Sequence, residues 1–142
     1  MSIQAILMPL FVQVALTLVL LFWLGGVRYR ALRTGQVEAE KVRLREPNWP
    51  PRVIQIANAF HNQLELPILF YVVTLLALIT ETLDVTLYVL SWMFVFARYL
   101  HAYIHVTSNR LDRRTGVFGV GAIALLLMWV IVIARILLFN PV

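Results

Sequence analysis

Four long apolar stretches, separated by connections of very unequal charge, restrict this chain more than any other feature. Of its twelve Lys and Arg residues, seven (Arg28, Arg30, Arg33, Lys41, Arg43, Arg45, Arg52) lie between the first and second stretches. Three more (Arg110, Arg113, Arg114) lie between the third and fourth, and Arg98 and Arg135 stand inside apolar stretches. Cytoplasmic connections of membrane proteins collect Lys and Arg. Two basic connections flanking one acidic connection (Glu81, Asp84) therefore predict four spans with both termini facing away from the cytoplasm. Composition agrees, because 61% hydrophobic residues and 13% charged residues exceed the apolar usage of a soluble domain. The net charge of +5 is accounted for by those connections, and no nucleic-acid motif accompanies it, so nucleic acid is not an expected partner. The chain has no cysteine, which excludes disulfides, thiolate metal sites and a cysteine nucleophile.

The first span runs from about Ile3 to Val27, long enough for the roughly 20 residues a crossing helix needs. It does not read as a cleaved signal, since no basic side chain precedes it and it ends in Gly25-Gly26 followed by arginines. The second begins near Val53, after the stiff Pro50-Pro51 pair, and ends near Thr80. The third spans about Thr86 to Val106 and the fourth about Val117 to Phe139. Short second and third connections make consecutive helices antiparallel neighbours, which predicts a single-domain, all-α, integral-membrane four-helix bundle over residues 1–142. In the first connection, Gln36 to Arg45 reads either as a short surface helix or as a solvated loop. Trp23 and Trp49 suit the cytoplasmic interface and Tyr88 the opposite one, Trp129 reads as packing, and Arg135 is expected to snorkel to the headgroups.

Polar residues interrupt two spans in a regular way. Gln55, Asn58, His61, Asn62 and Glu65 fall along one side of the second helix, and Arg98, His101, His105 and Asn109 along one side of the third. A charge at the bilayer centre costs about 2.5 to 3.5 kcal/mol on insertion scales, so these sides should face protein or a polar cavity. At about 1.5 Å of rise per residue, Glu65 and Arg98 reach comparable depths on antiparallel helices, and a Glu65–Arg98 pair is expected. Such a cluster reads either as a functional site or as hydrogen bonding that locks helices together. Pro67 removes a donor two residues beyond Glu65, which predicts a bend there, whether as a packing kink or as the opening of a cavity.

Other chemistries find less support. His101 and His105, four apart on a helix, fit two metal ligands with His61 or Glu65 as a third, but no HExxH context accompanies them, and no metal is assigned. Neither a Ser-His-Asp arrangement nor a glycine-rich phosphate loop is present.

The run Asn62-Gln63-Leu64-Glu65-Leu66-Pro67, then Leu69-Phe70-Tyr71, resembles the MAPEG family, the membrane-associated proteins of eicosanoid and glutathione metabolism. The likeness continues through Arg98-Tyr99-Leu100-His101, His105, Asn109-Arg110 and Arg113-Arg114, and it covers essentially the whole chain. It implies a homotrimer with glutathione, as co-substrate, bound between neighbouring subunits near the cytoplasmic face. By the same resemblance, Asn62 and Glu65 match the second-helix pair that holds the tripeptide, and Arg28 and Arg30 the basic pair that meets its carboxylates. Arg98 and His101 match third-helix polar positions, Arg114 matches the arginine that stabilises the glutathione thiolate, and Thr115 falls where some members have serine. Asn58 and His105 complete the candidate set, at positions where glutathione-using members commonly have arginine and several have tyrosine.

The implied function is a glutathione transferase or peroxidase, its thiolate stabilised by Arg114, acting on lipophilic electrophiles that arrive through the bilayer. The chemistry is self-consistent, since a tripeptide with two carboxylates, an amine and a thiol calls for cationic forks, amides and one carboxylate. The alternative is a non-enzymatic ligand-binding or scaffold protein of the same fold, which glutathione titration separates from the enzyme. A metal-binding or transport protein is a third class, and the absence of paired repeats counts against transport. The expected location is a bacterial inner membrane.

Overall fold

The computed structural model describes residues 3–43 and 48–139. Among them the chain forms five α-helices: α1 (Ile3–Arg33), α2 (Pro51–His61), α3 (Leu66–Ile79), α4 (Val85–Val106) and α5 (Leu111–Phe139). Four stretches are long and apolar enough to cross a membrane, α2 and α3 counting together as the broken span Pro51–Ile79. Their outward faces carry large apolar side chains such as Phe22, Phe96 and Leu126, as the lipid-facing side of a span requires.

Two helices are longer than hydropathy implies. α1 passes through Gly25-Gly26 to Arg33, and α5 starts six residues before Val117, because a helix continues into the polar region where an apolar window ends. Arg113 and Arg114 therefore belong to the first turn of α5 rather than to a loop. Among the described residues, the first connection contains only a short 3-10 turn, Ala39–Val42, with Lys41–Glu38 and Arg43–Glu40 ion pairs on its exposed side. Leu44 and Arg45, the end of the expected surface helix, lie outside the described residues.

Three helix ends share one closing bond. The amides of Gln36, Thr82 and Asn109 reach back five residues to the carbonyls of Ala31, Ala77 and Ile104, closing α1, α3 and α4. The residue before the first two, and Asn109 itself, take left-handed backbone: Gly35 at φ 70°, Glu81 at φ 55° and Asn109 at φ 49°. Asparagine tolerates that conformation better than most side chains, and at Asn109 it directs a polar side chain back toward α5.

The core lies mainly between α4 and α5, the most extensively packed pair, with α3 against them. Phe70 stacks on Phe94 with centroids 4.6 Å apart, and Trp129 packs at the margin of this cluster. A Cβ added to Gly121 would stand 3.4 Å from Cβ of Ala97, so the missing side chain lets the two helices approach closely. On the other side, Leu16 and Leu20 of α1 meet Ala59 of α2 and Ala102 and Val106 of α4. Trp49 and Trp23 sit under Arg28 and Arg52, the guanidinium carbons 5.2 and 5.4 Å from the rings.

Arg135 does not snorkel freely. Its Nη2 donates to Oδ2 of Asp84 across 2.7 Å, and its Nη1 donates to the carbonyl of Thr82, so it joins α5 to the α3–α4 turn. Oδ1 of the same Asp84 caps α4 by accepting from the amide of Leu87 at 2.9 Å. An acceptor within reach at the same level outcompetes the headgroup region.

Candidate functional site

The polar side of the second span is bent rather than straight. α2 ends at His61, a 3-10 turn covers Asn62–Leu64, Glu65 has φ −100° and ψ −104°, and α3 restarts with Pro67 in its first turn. A proline ring cannot continue the preceding helix, and position N1 or N2 is where it costs least. The break turns Glu65 outward, so it is exposed, with Asn58 and His61 also on the outside of the subunit.

Glu65 and Arg98 consequently form no ion pair, contrary to the expectation from depth alone. Buried Arg98 instead donates through Nη2 to the backbone carbonyl of Asn62 at the break, across 2.7 Å. Its guanidinium also lies 5.8 Å from the ring of Phe118 on α5. Arg98 thus ties together the break, α4 and α5, and the side chain of Asn62 is left to face a hollow while donating to the carbonyl of Asn58.

Arg114 stands where the two polar stripes converge. Its Nη1 lies 3.1 Å from Nε2 of His105 and 2.8 Å from Oδ1 of Asn109. Two small hollows flank it. One, of about 160 Å³, is lined by Asn62, His101, Arg114, Thr115 and Phe118. The other, of about 220 Å³, is lined by Asn58, His61, Asn62, Glu65, His105 and Arg114. Since Asn62 and Arg114 line both, the hollows adjoin, and together they present a cation, a carboxylate, amides and a hydroxyl to one space. The rings of His101 and His105 meet edge to face, 5.7 Å apart, behind it.

Of the candidate residues, Asn58, Asn62, Glu65, His101, His105, Arg114 and Thr115 line these hollows. Arg98 supports them from behind through Asn62 and Phe118. Arg28 and Arg30 lie elsewhere, on the last turns of α1, and line neither hollow. A separate, mostly apolar hollow of about 730 Å³ lies along α4 and α5, with Leu100, Tyr103, Ile104 and Val117 among its walls.

The family model of the MAPEG family matches residues 6–134, nearly the whole chain. The chain belongs to the MAPEG family. Comparisons with curated proteins and with solved structures returned no match. In this MAPEG chain, one buried contact near the site was not anticipated from sequence. Gln13 of α1 bonds to Gln63 at the helix break, and Gln63 in turn donates to the carbonyl of Ala59 at 3.2 Å. The signal was an amide in the middle of an otherwise apolar span, which demands a partner inside the bundle.

Proposed function

We propose that this MAPEG protein binds glutathione in the joined hollows around Asn62 and Arg114 and activates it as a thiolate for transfer to, or reduction of, a lipophilic electrophile. The observation that carries the reading is the position of Arg114, which borders both hollows, with Asn62 and Glu65 on one side and Thr115 on the other. A guanidinium stays charged at any physiological pH and favours the ionised form of a thiol beside it, which is the nucleophilic form. Glu65 suits the tripeptide's amine, Asn62 and Asn58 its amides, and His101 and His105 line the walls. Apolar surface such as the hollow along α4 and α5 gives a bilayer-dissolved electrophile a place to approach.

The functional unit in this reading is a homotrimer with the ligand between subunits. Glu65 stands at the midpoint of the Pro51–Ile79 span and is exposed on the single subunit, as are Asn58 and His61. Lipid is a poor environment for that patch, so a neighbouring copy covers it, and Arg28 and Arg30 reach the ligand's carboxylates from that copy. The number three comes from the family, and membrane physics supplies only the need for cover.

Asn58 favours a second reading. It places an amide, not a cation, in the hollow with Glu65, which suits a ligand with fewer anionic groups and a non-enzymatic binding role. Calorimetric titration of glutathione into the detergent-solubilised protein, followed by turnover assays with a panel of hydrophobic electrophiles, separates the two. Saturable binding with turnover supports the enzyme; binding of neither glutathione nor its S-alkyl analogues removes both the thiolate and the tripeptide from the account.

A further inference from the structure

Arg114 is held from behind, and the two groups that hold it differ in one important property. Nη1 of a guanidinium carries two hydrogens and no lone pair, so both of its contacts must be donated ones. Oδ1 of Asn109 accepts one at 2.8 Å, and Nε2 of His105 accepts the other at 3.1 Å. That donation fixes the imidazole as neutral, with its hydrogen on Nδ1. The remaining donors of Arg114, on Nε and Nη2, are left free for the two hollows.

Each anchor is itself immobilised by the fold. Asn109 takes left-handed backbone at φ 49°, closes α4 through its amide at 2.7 Å from the carbonyl of Ile104, and so has its side chain delivered to α5 by the turn. His105 is buried on α4, where its own carbonyl accepts from Nε2 of Gln55 at 2.7 Å and its ring meets His101. Neither anchor depends on a ligand being present.

Resting on the reading of Arg114 given above, we propose that His105 and Asn109 are positioning residues that aim the Arg114 guanidinium. We further propose that His105 makes this aim dependent on a single proton. Protonated imidazole has no lone pair on Nε2, and its hydrogen there would point at the guanidinium. The contact is therefore present above the pKa of His105 and lost below it, and the site loses its aim as pH falls. The charged and titratable groups around His105 are Arg98 and His101 on α4, Arg114 on α5, His61 and Glu65 across the shared hollow, and Arg52 of α2, which donates to the carbonyl of neighbouring Val106. Asn109 does not titrate and holds its half of the contact at every pH.

The test has two readouts on the same detergent-solubilised protein. The first needs no ligand: nitrogen-15 NMR of labelled histidine and arginine. It should show neutral His105 as the Nδ1–H tautomer and slow rotation of the Arg114 guanidinium. His105→Leu and Asn109→Gly, the latter preserving the left-handed backbone, should each speed that rotation, and His105→Gln should restore it because its Oε1 accepts the same bond. The second readout is ultraviolet absorbance of the glutathione thiolate across pH. His105→Leu should lower the thiolate fraction of bound glutathione roughly tenfold, the equivalent of one pKa unit and the low end of what a well-aimed neighbouring cation supplies. His105→Gln should retain the thiolate, and on the first readout Arg114 rotation should speed up in acid in the wild type but not in His105→Gln. Hydrogen on Nε2 of His105, or equal Arg114 rotation in wild type and both disruptive variants, would overturn the positioning. A rigid Arg114 in a wild type that forms no thiolate would support the positioning and count against the glutathione reading alone.

Discussion

Gln13 donates through Nε2 to Oε1 of Gln63 across 3.0 Å, with both side chains closed to the exterior. The bond ties α1 to the break between α2 and α3, the segment that aims Asn62 and Glu65. Removing one amide leaves the other buried without its partner, at about 1–3 kcal/mol, whereas removing both leaves an apolar contact of similar shape. Gln13→Leu and Gln63→Leu should each lower stability, and the double variant should be less destabilised than the sum. Thermal unfolding in one detergent measures the cycle, with a coupling of about 0.6 to 2 kcal/mol expected for an interhelical bond in a membrane. Strict additivity would show that the bond contributes nothing.

Pro67 explains why Glu65 is available to a ligand at all. Pro67→Ala restores the donor that a continuous helix needs and should draw Asn62–Glu65 toward regular α-helix. Ligand affinity should fall while thermal stability changes little or rises. An unaltered affinity would mean that the break is set by Arg98 and Gln63 and not by the proline.

The Arg135–Asp84 contact makes an acid-sensitive clamp at the opposite end of the bundle. The hydrogen bond from Arg135, reinforced by the Leu87 amide and opposed by partial burial, holds the Asp84 carboxyl below its ordinary value of 3.8. A depressed carboxyl stabilises the fold above its unfolded pKa, and that stability disappears as pH falls through the folded value. Asp84→Ala, which also deletes the α4 cap, should cost about 1–2 kcal/mol near neutral pH. Asp84→Asn should cost less and flatten the loss of stability below the ordinary carboxylate range. Thermal denaturation as a function of pH reads both, and an unchanged acid limb in Asp84→Asn would assign that limb to other groups.

Hydropathy and charge made the four spans, the all-α fold and the two polar stripes legible, because each depends only on residue type and spacing. Partnership between helices was less legible. Depth arithmetic treated α2 and α3 as one straight helix and paired Glu65 with Arg98, whereas the break rotates Glu65 away and offers Arg98 a backbone carbonyl. Arg135 was read against lipid alone because its partner Asp84 is 51 positions away in the chain. The meeting of Arg114 with His105 and Asn109 depends on the left-handed turn at Asn109, which no apolar periodicity encodes.

The basic connections predict the sidedness of the spans. Residues 28–52 and the turn between α4 and α5 should be cytoplasmic, and the Glu81–Asp84 turn should lie on the other side. Reporter fusions at Thr82 and after Arg43 decide this. Cytoplasmic activity at Thr82 would invert the topology and move the candidate site to the other face.

The central claim is that Arg114 stabilises a bound thiolate. Its most direct measurement is the ultraviolet difference spectrum on adding glutathione to the wild-type protein and to Arg114→Ala near neutral pH. A guanidinium close to a thiol lowers its pKa by about one to three units, so the wild type should show a saturable thiolate band. Arg114→Ala should lose that band, and turnover with it, while glutathione affinity falls much less. An equal thiolate band in both proteins, or none in a wild type that binds glutathione, would contradict the account.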